Sequence, residues 1–228
     1  MDLPPRPEAI LFDLDGTLID HFTTIYRAYC HAMAQMGLPP VTYAQVRGAV
    51  GGSLPITFGK LVPAECVDAG VRLFRAHYEE IWREDLHALP GTDWVLPAIT
   101  ELGIKVGILT NKEGPAARAI AATLGWNPWM TVVIGRNDTQ WVKPAPELSA
   151  FTLEKIGATG ERSWFIGDSP YDIAAARAGG MTAHVLATGS HTFVELEAEG
   201  PDGTFADVNA WAEATLGLTP PQARRSIA

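Results

Sequence analysis

Carboxylates recur in this chain where short apolar runs stop, at spacings that could do chemistry. The run Ala9–Phe12 ends in Asp13-Leu14-Asp15-Gly16-Thr17-Leu18. In an extended strand, residues two apart face the same side, so Asp13 and Asp15 project together before Gly16 lets the chain turn. Two carboxylates ~4 Å apart at an effective dielectric near ~20 repel by about 4 kcal/mol, and a divalent cation is the natural counter-charge. A second run, Trp164–Ile166, ends in Gly167-Asp168-Ser169-Pro170-Tyr171-Asp172. This places Asp168 at a strand end and Asp172 on the first turn of a helix starting near Pro170. Taken singly, Asp168 reads as a helix N-cap and Asp172 as a surface charge favoured by the helix dipole. Beside a paired-aspartate strand end, an all-oxygen site of the kind that takes Mg²⁺ explains both better.

Polar and basic groups end two further runs. Ile104–Leu109 is followed by Thr110-Asn111-Lys112 and a helix expected near Gly114. A hydroxyl, an amide and the N–H groups of a helix start suit an anion, although a plain cap explains Thr110 and Asn111 equally well on their own. After the run Thr131–Ile134 comes Lys143-Pro144-Ala145-Pro146. Proline at a helix start holds Lys143 ahead of that helix, as a positive charge aimed at the same rim that balances carboxylates and binds phosphate.

These residues need a scaffold that collects strand ends. The runs Ala9–Phe12, Ile104–Leu109, Thr131–Ile134, Trp164–Ile166 and Ala183–Leu186 alternate with helical stretches, which predicts an α/β fold with a doubly wound parallel sheet whose ligands bind beyond the carboxyl ends of the strands. Ile120 and Leu124 share a helix face, and Gly125 supplies its left-handed cap. The interval from Asp20 to Leu89 is too long for a connection. Phe22, Ile25, Tyr26, Tyr29, Met33 and Met36 recur at helical spacing, as do Val67, Val71, Phe74, Tyr78 and Ile81, with a capping box at Thr42-Tyr43-Ala44-Gln45 opening a shorter helix between them. The expected organisation is a core domain of residues 1–19 and 90–228 with an inserted helical domain at 20–89, the aromatic and methionine stripes forming the core of the insertion. The tail from Leu218 to Ala228 is expected to be mobile.

Composition narrows the partners. At 228 residues with 47% hydrophobic and 19% charged side chains, the chain can bury a sizeable core and is not disordered. Lys and Arg total 17 against 26 Asp and Glu, a net charge of -9, which argues against a nucleic-acid partner. Cys30 and Cys66 show no metal-ligand spacing and fit a reducing compartment. No stretch approaches the ~20 apolar residues of a membrane span, and no signal peptide is evident, so a cytoplasmic protein without membrane partners is expected. Asn137-Asp138-Thr139 matches a glycosylation sequon only by accident of spelling.

Taken together, Asp13-x-Asp15-Gly16-Thr17-Leu18-x-Asp20, Thr110-Asn111, Lys143-Pro144 and Gly167-Asp168-Ser169-x-x-Asp172 resemble the haloacid dehalogenase-like hydrolase superfamily, most closely its phosphoglycolate phosphatase-like members. The resemblance spans residues 8 to 216 and implies a Rossmann-like core with a helical cap inserted after the first motif. It implies a nucleophilic Asp13 that forms an aspartyl-phosphate, and an Asp15 that serves as general acid and then base. It further implies Mg²⁺ bound by the Asp13 carboxylate, the Asp15 carbonyl and the Asp168 carboxylate, with Asp172 in support. Thr110, Asn111 and Lys143 would then hold the phosphoryl oxygens. Asp15 is absent from the dehalogenase branch and replaced by a small residue in phosphonatases, which leaves a phosphatase, or a phosphomutase of the beta-phosphoglucomutase type; a non-catalytic phosphate-binding protein is the remaining alternative. The segment Arg47–Ser53 reads as a flexible phosphatase-type cap loop. In it Arg47 is a candidate to grip a substrate carboxylate or phosphate, and equally reads as a solvated arginine. His21 departs from the small hydroxyl residue that many relatives carry there, and no catalytic role is assigned to it. The implied partner is a small phosphorylated metabolite acted on by a monomer or homodimer.

Overall fold

A computed structural model of the chain describes residues 4–221; the tail beyond Pro221 lies outside the described residues. In chain order, β1 (Ala9–Phe12) leads through the short β2 (Ile19–Asp20) into four helices, α1 (Phe22–Gln35), α2 (Tyr43–Ala49), α3 (Leu54–Leu61) and α4 (Val67–Ile81), which return by β3 (His87–Ala88). The rest alternates: α5 (Thr92–Glu101), β4 (Lys105–Glu113), α6 (Gly114–Thr123), β5 (Met130–Arg136), α7 (Pro146–Ile156), β6 (Ser163–Gly167), α8 (Pro170–Ala178), β7 (Thr182–Leu186), α9 (Phe193–Ala198), β8 (Gly203–Phe205) and α10 (Val208–Leu216). Six strands form one sheet in the order β5-β4-β1-β6-β7-β8, and every pairing in it is parallel. The doubly wound α/β class expected from the alternation is what the chain adopts.

Side-chain alternation builds the layers. Ile10 and Phe12 of β1 join Val106, Ile108, Trp164 and Ile166 on one face, under α5, α6 and α10. Ala9 and Leu11 join Phe165, Ala183 and Val185 on the other, under α7, α8 and α9. With both faces covered, the central strands read as unbroken apolar runs. From β1 the chain winds outward to β4 and β5, and from β6 it winds the opposite way to β7 and β8. The switch point therefore lies between β1 and β6, where a doubly wound sheet opens its ligand crevice. Asp13 and Asp168 stand directly beyond those two strands.

The helices between β2 and β3 bury the expected stripes. Tyr29, Phe58, Phe74 and Tyr78 form a cluster continuous with Leu14, Leu18 and Ile19 just after β1. The Thr42 capping box is present, with Gln45 N donating to Thr42 Oγ1 at 3.2 Å and Thr42 N donating to Gln45 Oε1 at 2.8 Å. β2 and β3 pair antiparallel, Ile19 with Ala88 and Asp20 with His87, and so tie the two crossings of this insertion together. One expectation is corrected: the segment Arg47–Ser53 is not all loop, because Arg47, Gly48 and Ala49 complete α2 and the open stretch shrinks to 50–53. Helix α3, opened by Ser53 and Pro55, and the three-residue edge strand β8 carry too few periodic apolar positions to stand out in sequence. Among the described residues no helix is long and apolar enough to cross a membrane.

One buried titratable group lies away from the strand ends. His184 of β7 is 7% exposed, and Trp211 Nε1 donates to its Nδ1 at 3.0 Å. Burial pulls its pKa down to about 4, against a smaller upward pull from Asp202. The unfolded imidazole takes its proton near pH 6.5 and the folded one only near 4, so stability falls as pH drops through that window. The loss should reach up to about 3 kcal/mol, at ~1.4 kcal/mol per unit. Urea unfolding of the parent and of His184→Gln from pH 7 to 4 checks this. The variant, which keeps an acceptor for Trp211 but cannot titrate, should show a flatter profile.

Candidate active site

The strand ends converge as expected, and two lysines stand among their carboxylates. Asp13 N donates to Ile166 O at 2.8 Å, which holds the residue in register beyond β1. Gly16 then turns the chain at φ 87°, and a Cβ there would stand 2.8 Å from Asp168 Oδ2. The backbone bonds closing this turn, Gly16 N to Ile19 O and the N–H groups of Thr17, Leu18 and Ile19 to Leu14 O, leave the Asp15 carbonyl unused. Each of the two aspartates has its own ammonium neighbour. Lys143 Nζ lies 2.8 Å from Asp13 Oδ1, whereas Lys112 Nζ donates to both oxygens of Asp15, at 2.9 and 3.1 Å.

A second set of carboxylates forms around Asp13. Asp13, Asp168 and Asp172 are all buried and can bring one oxygen each within 4.8 Å of the others. Asp168 Oδ2 accepts from Ser190 N at 2.9 Å and its Oδ1 from Thr17 Oγ1 at 3.3 Å. Asp172 is neither a surface charge nor free. Its Oδ2 accepts from Ser169 N (3.0 Å), Ser169 Oγ (2.6 Å) and Asp168 N (3.2 Å), while Oδ1 takes the Lys143 ammonium at 2.6 Å. Ser169, not Asp168, is the N-cap of α8, and Asp172 completes its capping box.

Three buried carboxylates around one ammonium leave an excess of negative charge. Burial pushes the Asp13 carboxyl up to about 6, although Lys143 opposes it. Burial, then the charges of Asp172 and Asp13, hold Asp168 well above the usual carboxylate range. Burial disfavours the Lys143 ammonium, but Asp13 and Asp172 outweigh it and keep the group protonated. Asp13 Oδ1 has Lys143 as its ionic neighbour and no hydrogen bond of good geometry. An all-oxygen donor set with surplus negative charge and an unsatisfied carboxylate oxygen fits a hard divalent cation.

Asp15 belongs to a different network, which reaches the inserted helices. Lys112 Nζ sits 4.8 Å from the centre of the Tyr78 ring, and the Tyr78 hydroxyl meets His21 Nδ1 at 3.1 Å. His21 Nε2 donates to Trp82 O at 2.8 Å, leaving Nδ1 as the acceptor. Burial and the Lys112 charge pull the His21 pKa down to about 4, so it is neutral in the fold. Burial raises the Tyr78 phenol to about 12. His21 therefore braces the entry of the insertion, and its Nδ1 lies 3.9 Å from Asp15.

Thr110 and Asn111 are buried at the end of β4, inside the strand and not in a helix cap. The Thr110 hydroxyl steadies the Asp13 carboxylate and accepts from Lys112 N at 3.2 Å. Asn111 is committed to backbone: Lys143 N donates to its Oδ1 at 2.9 Å, and its Nδ2 donates to Lys143 O at 3.3 Å and to Gly51 O of the insertion at 3.1 Å. It fixes Lys143 and ties the loop 50–53 to the sheet. Near the start of α6, Asp138 packs so closely against Gly114 that a Cβ there would overlap its carboxylate. The Asp138 carboxylate accepts from Gly135 N at 2.9 Å and pairs with Arg118 at 2.7 Å.

Arg47 is not brought to this site. Its Nε and Nη2 donate to Gly189 O at 3.0 and 2.8 Å, and its guanidinium lies 5.2 Å from the Phe22 ring centre. It clamps the loop after β7, whose Ser190 binds Asp168. A helix placed its side chain, and no local sequence signal indicates that direction. Lys112 and Ser190 contact Asp15 and Asp168, and motif reading passed over both although each had a signal. Lys112 stands two residues after Thr110 on an extended strand, hence on the same face, and Ser190 follows the end of a predicted strand. A cavity of about 390 Å³ opens above the site, with Asp13, Asp15, Thr110, Asn111 and Lys112 at its sheet end and α1, α3 and α4 as its wall.

The sequence profile described as haloacid dehalogenase-like hydrolase matches residues 10–186. A phosphoglycolate phosphatase of Xanthomonas campestris is 34% identical over 179 residues, covering 77% of this chain and 80% of its own. The protein named probable phosphatase IndB of Dickeya dadantii is 28% identical over 221 residues, covering 92% and 95%. The crystal structure of a hydrolase from Pseudomonas syringae superimposes with a TM-score of 0.80 at 24% identity over 94% of this chain and 100% of its own, a likeness of fold. A doubly wound sheet with carboxylates and lysines gathered at its switch point defines the class of protein. The chain belongs to the haloacid dehalogenase-like hydrolase family.

Lys143 is the group whose loss should be felt most. In chelator, Lys143→Met should lower stability by about 3–5 kcal/mol, because two buried carboxylates lose their shared cation. Asp172→Asn in the same chain should recover part of that loss, as read from urea unfolding of the single and double variants.

Proposed function

We propose that this chain is a Mg²⁺-dependent phosphatase that hydrolyses a small phosphate monoester through an aspartyl-phosphate on Asp13. The observation that carries this reading is the convergence of Asp13, Asp168 and Asp172 within 4.8 Å, two of them paired with the Lys143 ammonium, beside a cavity that Asp13 and Asp15 line. The names of the relatives make phosphoglycolate the first candidate substrate. Residues 20–89 act as a cap on a core formed by 1–19 and 90–228, pivoting at 16–20 and 89–91.

Asp13 attacks phosphorus in line; its Oδ–P bond forms as the bond to the ester oxygen breaks, and Asp15, a carboxylate beside Lys112 before substrate arrives, takes the proton of the incoming monoester monoanion and passes it to the departing alcohol. Asp15, now a carboxylate facing Lys112, takes a proton from the water that attacks the aspartyl-phosphate. Inorganic phosphate leaves and Asp13 is restored. Lys143 and the Thr110 hydroxyl stabilise charge on the transferring group, while Asn111 keeps Lys143 in place. Mg²⁺ would be held by the Asp13 carboxylate, the Asp15 carbonyl and the Asp168 carboxylate, with Asp172 behind them, and would offset the repulsion between an anionic nucleophile and an anionic phosphate. Closure of the cap excludes water during transfer.

The test is phosphate release from a panel of monoesters with Mg²⁺, with chelator, and with two variants. Release should vanish in chelator and in Asp13→Asn, and Asp15→Asn should lower kcat by about 10²–10⁴-fold. Release that survives Asp13→Asn would falsify the assignment of the nucleophile. Isomerised sugar phosphate without net release would favour a mutase.

A further inference from the structure

The cavity above Asp13 is larger and more apolar than a two-carbon acid needs. On the basis of the phosphatase reading, we propose that the physiological substrate is the phosphate monoester of a ring-sized, mostly apolar alcohol. The volume of about 390 Å³ corresponds to roughly a dozen waters at ~30 Å³ each. Pockets that enclose drug-sized ligands run from about 300 to 1,000 Å³. A phosphoryl group with a short acid attached would leave most of this space wet.

The wall is built to face carbon. Ile25 and Tyr29 of α1, Leu54 of α3, and Phe74 and Tyr78 of α4 line it. Phe74 and Tyr78 are stacked with ring centres 5.5 Å apart and planes 9° from parallel, and Tyr29 packs on Phe74 at 4.8 Å. These rings are held by their own packing before any ligand arrives, Tyr29, Phe74 and Tyr78 being almost wholly buried, so they give a ligand a rigid apolar contact at little ordering cost, with only a small area left to remove from water. A substrate carboxylate, in contrast, needs a desolvated positive partner. Lys112 is engaged by Asp15 at 2.9 Å. Arg75, which reaches from α4 across the cavity, is engaged by Glu113 of β4 at 2.6 Å. Arg136, opposite Glu113 in register, also lines the cavity and makes no ion pair among the described residues, so a rival acidic substrate would depend on it.

The experiment compares kcat/KM for 2-phosphoglycolate and 2-phenylethyl phosphate, both esters of primary alcohols, with Mg²⁺ and the full-length protein. The ring ester should be favoured by about tenfold or more, and Leu54→Trp, which fills the cavity from a half-buried position, should cut that ratio by about tenfold. A wild-type ratio of one or less, or a ratio that Leu54→Trp leaves unmoved, overturns the inference while the phosphatase reading stands. A phosphoglycolate preference that collapses in Arg136→Ala does the same and assigns Arg136 to a carboxylate. Failure to release phosphate from either ester, by protein with native circular dichroism, removes the phosphatase reading and this inference with it.

Discussion

The ammonium of Lys143, 1% exposed and set between Asp13 and Asp172, makes the rest of the site affordable. Carboxylates withdrawn from water cost several kcal/mol each unless paired and hydrogen-bonded. Here one cation serves two of them, at 2.8 and 2.6 Å, and the third, Asp168, leans on Ser190 and Thr17. That arrangement constrains everything nearby. β1 and β6 must be neighbours so that Asp13 and Asp168 end side by side. Asp172 must sit one turn into α8, where its other oxygen caps the helix, and Asn111 must anchor the lysine's backbone.

Two lysines divide the work between two aspartates. Lys143 neutralises the group at the bottom of the crevice, while Lys112 pairs with Asp15 at its edge. The second pair is also the place where sheet and insertion meet, because Lys112 packs on Tyr78 of α4 and Tyr78 bonds to His21 at the start of α1. Asn111 makes a parallel link to Gly51, and Arg75 makes another to Glu113. The insertion is thus tied to the sheet at or beside the residues proposed to do the chemistry.

Much of this was legible because strand ends are legible. Apolar runs covered on both faces show no alternation to confuse them, and the residue that ends each run is marked by its polarity. Asp13, Thr110 and Asp168 stand out in that way, Lys143 stands out through the prolines that follow it, and the stripes of α1 and α4 mark the insertion. Short elements at edges were not found. β8 has three half-buried residues, α3 is short, and the β2–β3 ribbon has two residues per strand, so none carries a full period of its pattern. Arg47 shows the opposite failure: its residue type suggests an anion partner, but the turn of α2 directs it to the carbonyls of Thr188 and Gly189.

The layered α/β class, the order of the motifs and the residues able to carry charge at the rim are all readable along the chain, because periodicity and polarity are local properties. The tertiary structure alone decided which ammonium meets which carboxylate. It assigned Lys112 to Asp15 and Lys143 to Asp13 and Asp172, committed Asn111 to backbone, and set the size of the cavity. Those outcomes depend on distances between segments that are far apart in the chain, and the energy of a buried charge depends on its nearest neighbours in space.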